Sequence, residues 1–335
     1  MQNSCYQIER IHWIDVARGF CMIALVLYHT ESYYIDTYHV FQYNWCSNFL
    51  KTFFFLSGYL LYKEGIKYDE DYISHKTKRI IKTLLIPYFI FTLILILPKC
   101  YAHSLDIQEA LMNIIAGKAS WFITTLILSE LLFITILRWS KNKVLMLALT
   151  SILGLAVALI LSKTTIHNPW CFQQSLAVFC LLFLGFVFHQ YEQYFRHLNW
   201  TYVLLSTAVL IVILKIIVEK ENIVLNIYPL EISNLTFYFM DTIVGISLII
   251  AISKLIAKNK LLEYTGKLSI IIYFLNGGVS VITSRIMNQV GFSYDEQYFR
   301  VIILFFINYL IVLFVSHMIY QYLPFMIGRN EQTAK

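Results

Sequence analysis

WIDVARGFCMIALVLYHTE, residues 13–31, decides how the rest of the chain is read. Its middle, Gly19–Tyr28, is an uncharged apolar run, yet the stretch also carries Asp15, Arg18 and His29. No basic region and small-residue cleavage site frame it as a removable leader, so it is expected to remain as a membrane span. Blocks such as Leu84–Leu97 and Val301–Val315 repeat the pattern. Spans of roughly 20 such residues cross a hydrocarbon core of about 30 Å. Of the 335 residues, 59% are hydrophobic and 14% charged, with a mean hydropathy of +0.65. A soluble domain needs about 25% charged residues to cover its surface, which excludes that class here. The expected fold is an all-α integral membrane bundle of about ten transmembrane helices, forming one domain over residues 1–335.

Spans are expected near 14–35, 47–62, 80–98, 120–138, 143–162, 174–191, 200–218, 235–253, 268–286 and 300–322. This layout puts Arg10, Lys63, Lys67, the 76–82 cluster, Arg138, Lys141, Lys143, Arg196, Lys254, Lys258, Lys260, Lys267, Arg329 and Lys335 on one side. Only Lys99, Lys118, Lys163, Lys220, Arg285 and Arg300 fall on the other. Positive residues mark cytoplasmic loops, so a multi-pass protein of the cell (inner, cytoplasmic) membrane with both termini in the cytoplasm is expected. The net charge of +6 is then a topology signal in contact with the lipid bilayer, and no nucleic-acid partner is implied. The loops near 99–119, 219–234 and 287–299 either form a binding surface on the far side or simply connect helices.

Ionisable groups inside a span cost about 2.5–3.5 kcal/mol each at its centre, so each asks for a reason. Arg18 and His29 lie eleven residues apart, three helical turns plus roughly 20°, on one face and about 16 Å apart along the axis. Asp15 can pair with Arg18 at i,i+3. One reading makes these an interfacial anchor and a packing histidine. The other places a guanidinium for anion recognition and an imidazole for proton transfer in a shared, partly hydrated cleft at different depths. The basic run 75–82, containing Lys76, Lys78, Arg79 and Lys82, starts the next span and suits either lipid headgroups or a polyanionic cofactor. Lys51 is expected to snorkel from the mouth of its span. Glu130 and Asp241 are expected as interhelical partners, and Trp121–Phe122 as an interfacial aromatic belt. Cys21 and Cys180 read as small core residues. A bridge among Cys46, Cys100 and Cys171 is open, and neither a CxxC nor a metal-type spacing occurs.

Several segments, in order, resemble the membrane-bound acyltransferases of acyltransferase family 3, which include polysaccharide O-acetyltransferases and fucose 4-O-acetylase-like proteins. They are the opening helix with Arg18 and His29 separated by ten residues, KTFFFLSGYLLYKE (51–64), KTKRIIKTLLIPY (76–88), WFITTLIL (121–128), LLFLGFVF (181–188) and EYTGKLSIIIYFLN (263–276). Two departures stand out: Asn276 occupies a position where His is common, and the basic pair reads Arg79-x-x-Lys82 in place of Arg-x-x-Arg. The resemblance implies transfer of an acyl group, often acetyl, from cytoplasmic acyl-CoA (acetyl-CoA as co-substrate, no metal) to a hydroxyl of a glycan or glycolipid acceptor. It implies a catalytic set of His29, Arg18 and Asp15, with His29 as general base on the acceptor hydroxyl or else as a transient acyl carrier, and Arg18 together with Lys76, Lys78, Arg79 and Lys82 on the coenzyme phosphates. An exporter or flippase of lipid-linked saccharide, and an inert scaffold, are the competing classes. Neither an inverted repeat nor matched helix breaks favour transport.

Overall fold

A computed structural model describes residues 11–35, 45–103, 105–141 and 143–329; Arg10 and Lys335, and the side chains of Cys46 and Lys99, lie outside what it describes. The chain is helical almost throughout: α1 (His12–Tyr34), α2 (Trp45–Leu61), α3 (Glu70–Ile80), α4 (Ile86–Ile94), α5 (Ile96–His103), α6 (Ile107–Ile115), α7 (Trp121–Trp139), α8 (Val144–Ser162), α9 (Phe172–Gln190), α10 (Trp200–Lys220), α11 (Leu235–Ile256), α12 (Lys260–Lys267), α13 (Ser269–Gln289) and α14 (Tyr298–Tyr322). Strands β1 (Leu225–Asn226) and β2 (Glu231–Ile232) form a short antiparallel hairpin.

Seven helices among the described residues are long and apolar enough to cross a membrane: α7, α8, α9 with its preceding turn, α10, α11, α13 and α14. The other three expected spans fall on the charge-bearing α1, the short α2 and a segmented run, none of which meets that standard, so length and apolarity support seven of the ten expected spans. The segmented run departs from the expected span at 80–98. Asp69 accepts from the Tyr72 N–H and starts the helix at Glu70, so the basic residues sit within a helix and not at its beginning. A π-helical turn at Ile81–Leu85 precedes Pro87, and the helix breaks at Leu95 before Pro98. Proline lacks the N–H of the helical ladder and its ring crowds the carbonyl four residues back, which accounts for both irregularities.

The helix ends sort into two layers. At one, the basic end, His12 meets Glu263 at 2.9 Å, Glu70 pairs with Arg138, and Glu192 joins Tyr59 to Lys254. At the opposite end Tyr34 donates to the Phe292 carbonyl, and Trp170 N–H to the Ala116 carbonyl. α1 is central, packing against α2, α11, α12, α13 and α14. α8 and α10 lie at the edge, where rows of Leu, Ile and Val face outward as lipid-facing surface would.

Two close crossings explain glycines in the quoted motifs. A Cβ on Gly266 would lie 1.9 Å from the Asp15 carbonyl oxygen, and one on Gly19 would lie 2.2 Å from that of Leu262. Gly58 and Gly185 play the same part between α2 and α9, each with backbone 1.9 Å from where a Cβ would stand. Small residues let helices approach backbone to backbone in a membrane, where packing must replace the hydrophobic effect. The α1–α12 crossing anchors Asp15 and, one turn on, aims Arg18.

Candidate functional site

A cavity of about 690 Å³ opens at the end opposite the basic one. His29 lines it from α1, half-buried, with its ring 5.4 Å from Tyr28 in an edge contact and 5.9 Å from Tyr33 in a stack. α13 supplies Tyr273, Asn276, Gly277 and Gly278, and Ser120 donates to the Tyr273 hydroxyl at 3.1 Å. Trp121 stacks on Tyr228 of the hairpin, with ring centroids 5.3 Å apart. Two of the loops in question thus take part in the cavity: 99–119 contributes Asn113 and Lys118, and 219–234 contributes Asn226, Ile227 and Tyr228. No Asp or Glu is among the described lining residues; Lys118 and His29 are the basic ones. Apolar and aromatic walls with a few convergent polar groups are what small-molecule sites present.

Trp121 therefore lines a cavity, and Phe122 is buried against Phe54 with centroids 5.0 Å apart. The aromatic belt expected at this dipeptide is replaced by a site wall and a core residue, because neighbouring positions on a helix face different ways.

The second assembly lies at the basic end. Arg18 is 31% exposed, 3.8 Å from Asp15, and within electrostatic reach of Glu130 and Arg79. Glu130 of α7 accepts from Ser57 of α2 and pairs with Lys76 of α3 at 3.2 Å. Because Glu70 pairs with Arg138 lower on α7, α3 climbs beside α7 and carries its basic residues up to the level of Glu130. Lys63, absent from the expected site, joins this basin. Burial, and then the charges of Arg79 and Lys76, hold its pKa below the ordinary lysine value. Lys78 and Lys82 are exposed, and the Lys82 carbonyl lies where a Cβ on Gly328 would be, 2.0 Å away. The basic run is thus split: Lys76 is half-buried against Glu130, and Arg79, though exposed like Lys78 and Lys82, lies within electrostatic reach of Arg18 and Lys63.

Arg18 and His29 do not share a cleft. The face between them is occupied at helical spacing by Met22 and Leu25, both buried in a cluster with Phe54, Phe122 and Phe274. Leu25 forms part of the cavity floor, and seven residues, about 10 Å of helix, separate it from Arg18. Helical periodicity fixes a direction, not what fills the space in front of it.

A third charged group belongs to neither place. Asp241 is fully buried and bridges Lys51 at 3.1 Å and Lys215 at 2.6 Å. Lys51 therefore does not snorkel; it is fully buried, with its ammonium 4.8 Å from the Tyr238 ring centroid. Lys215 escaped the sequence reading, although a lysine inside LIVILKIIVEK was the signal for it. Glu130 and Asp241 are interhelical partners, as expected. Cys21 and Cys180 are buried, and Cys100 and Cys171 are free thiols.

A family model described as an acyltransferase domain matches residues 11–323, nearly the whole chain. No curated protein and no solved structure is similar enough to match.

Proposed function

The chain belongs to acyltransferase family 3, a family of membrane proteins, and from that premise we propose that it is an O-acyltransferase carrying an acyl group, acetyl in the simplest case, from acyl-CoA to a hydroxyl of a glycan or glycolipid. Its basic end faces the cytoplasm in this reading, in keeping with the excess of Lys and Arg there. Arg18, Arg79 and Lys63 receive the coenzyme phosphates. Lys76 joins them on leaving Glu130, and Lys78 and Lys82 meet the nucleotide or the lipid headgroups from the outer face of α3. The acceptor sugar enters the opposite cavity, where the rings of Tyr28, Tyr33, Trp121 and Tyr228 can cover its apolar faces.

His29 takes the proton of the acceptor hydroxyl as the oxygen attacks the thioester carbonyl. The carbon–sulfur bond breaks, the coenzyme leaves as thiolate, and the imidazolium returns the proton to it. For the thioester to reach His29, the apolar layer at Met22 and Leu25 must part along α1. The observation that carries this reading is the half-buried imidazole in a cavity with no carboxylate among its described lining residues, on the same helix face as the arginine of a basic basin.

A cavity open at one end and closed by an apolar layer also suits an exporter of lipid-linked saccharide. One comparison separates the two: mass spectrometry of surface glycans from a strain lacking the protein and from its parent. Acyl transfer is expected to remove one ester mass from an otherwise complete glycan. Unchanged ester masses would exclude the reaction, and loss of the whole glycan from the surface would favour export.

A further inference from the structure

Glycine inside a helix costs roughly 0.5–1 kcal/mol relative to alanine, so each interior glycine calls for a compensating contact. At Gly19, Gly58, Gly185 and Gly266 the contact is backbone against backbone, and at Gly245 the Asn48 side chain would stand 2.6 Å from a Cβ. Gly278 packs on Leu95 of the α4–α5 break, 3.3 Å from where its Cβ would be. Gly277 is different. A methyl there would meet only His29, 3.9 Å from both Cε1 and Nδ1, an ordinary van der Waals distance. Packing does not demand glycine at this position, and the space beside it is the cavity.

The same wall holds a second unfilled demand. Asn276, 1% exposed, donates from Nδ2 to the carbonyls of Ile272 at 3.1 Å and Tyr273 at 2.6 Å. Its Oδ1 is buried without a partner. A buried acceptor left unpaired costs about 1–3 kcal/mol, so this stretch of wall is held at a cost in stability.

We propose that the part of the cavity walled by His29 and Gly277 together is the acyl slot, and that Gly277 sets the largest acyl group the protein transfers. The inference rests on the acyl-transfer reading. A reacting hydroxyl oxygen must lie about 3 Å from both the imidazole and the thioester carbonyl. The acceptor ring occupies the aromatic mouth and the coenzyme arm comes from the floor. The wall flanking the imidazole edge is then what the carbon chain of the acyl group faces, and a glycine leaves it room for groups longer than acetyl.

The test uses the full chain in lipid nanodiscs, with envelope extract of a strain lacking the protein as acceptor source and acetyl-, propionyl- and butyryl-CoA as donors. The unsubstituted protein is expected to use all three. Gly277→Ala should lose severalfold with acetyl-CoA and about a further tenfold with butyryl-CoA, since one methylene in a tight site is worth about 10–200-fold. Gly277→Val should extend that loss to propionyl-CoA. Thermal unfolding of both variants checks that the helix, which gains a better helix former with alanine, is intact. Equal loss with every donor, unchanged donor ratios, or an unsubstituted protein that turns over acetyl-CoA alone would each overturn the slot. Transfer from no donor by the unsubstituted protein would instead sink the acyl-transfer reading beneath it.

Discussion

The two ends of the α1 stripe solve opposite problems. Around His29 the walls are mostly aromatic and apolar and open, with no carboxylate among the described lining residues and the buried Asn276 Oδ1 left unanswered. Around Arg18 several charges are answered within the protein: Arg18 by Asp15, Lys76 by Glu130, and Glu130 also by Ser57. The first region is shaped to receive an uncharged body. The second is a set of charges whose partners can be exchanged for those of an anion. A single helix carries both, with Met22 and Leu25 holding them apart. Under the proposed reaction, the difference teaches that binding a charged donor and doing chemistry on a sugar hydroxyl are separate tasks, joined only when that layer parts.

Substitutions on either side should fail in different ways. His29→Ala should have the largest effect, removing transfer by about 10²–10⁴-fold at unchanged membrane abundance; quantitation of the glycan ester beside an immunoblot reads both, and retained esterification would erase the distinction between the ends. Asp241→Ala should come next, but in stability. It strands the buried ammoniums of Lys51 and Lys215, and breaking a buried ion pair costs about 3–5 kcal/mol. Size-exclusion profiles in detergent should show the folded protein lost. A well-folded Asp241→Ala protein without activity would instead bring this cluster into the function.

Arg79→Ala should raise the donor KM about tenfold with kcat nearly kept, because it removes ground-state binding at a distance from the chemistry. An equal fall in kcat would mean that the basin acts on the reaction itself. The smallest effect is one of pH. Lys63 is charged below its lowered pKa and neutral above it. Donor KM should therefore rise modestly as pH climbs towards the ordinary lysine value of about 10.4, with the rise lying below that value. Lys63→Gln should start from a higher KM and flatten that rise.

Much of the architecture was readable before any coordinates. The apolar blocks and the one-sided excess of Lys and Arg pointed to a helical membrane bundle, and the Arg18–His29 spacing put both on one stripe of α1. The misses have physical causes. Met22 and Leu25 sit on that stripe in plain view, but whether they line a cleft or fill it depends on what α2, α7 and α13 bring against them. The Lys51–Asp241–Lys215 group joins helices distant in sequence, so no local pattern encodes the pairing, although each charge within an apolar run was a warning. The early start of α3 was available: Asp69 followed by Glu70 and Asp71 is a helix-start signature, masked by the polarity of the segment. The motif glycines were visible as motifs, but their purpose, two backbone-to-backbone crossings, needed the fold.

The central claim is that the two half-sites open to opposite sides of one membrane. In a background with all six cysteines replaced by serine, Tyr33→Cys at the cavity and Arg79→Cys in the basin can be challenged with a membrane-impermeant maleimide on vesicles of each orientation. Labelling of Arg79→Cys only from the cytoplasmic face and of Tyr33→Cys only from the other is the predicted result. Labelling of both from a single face would contradict it.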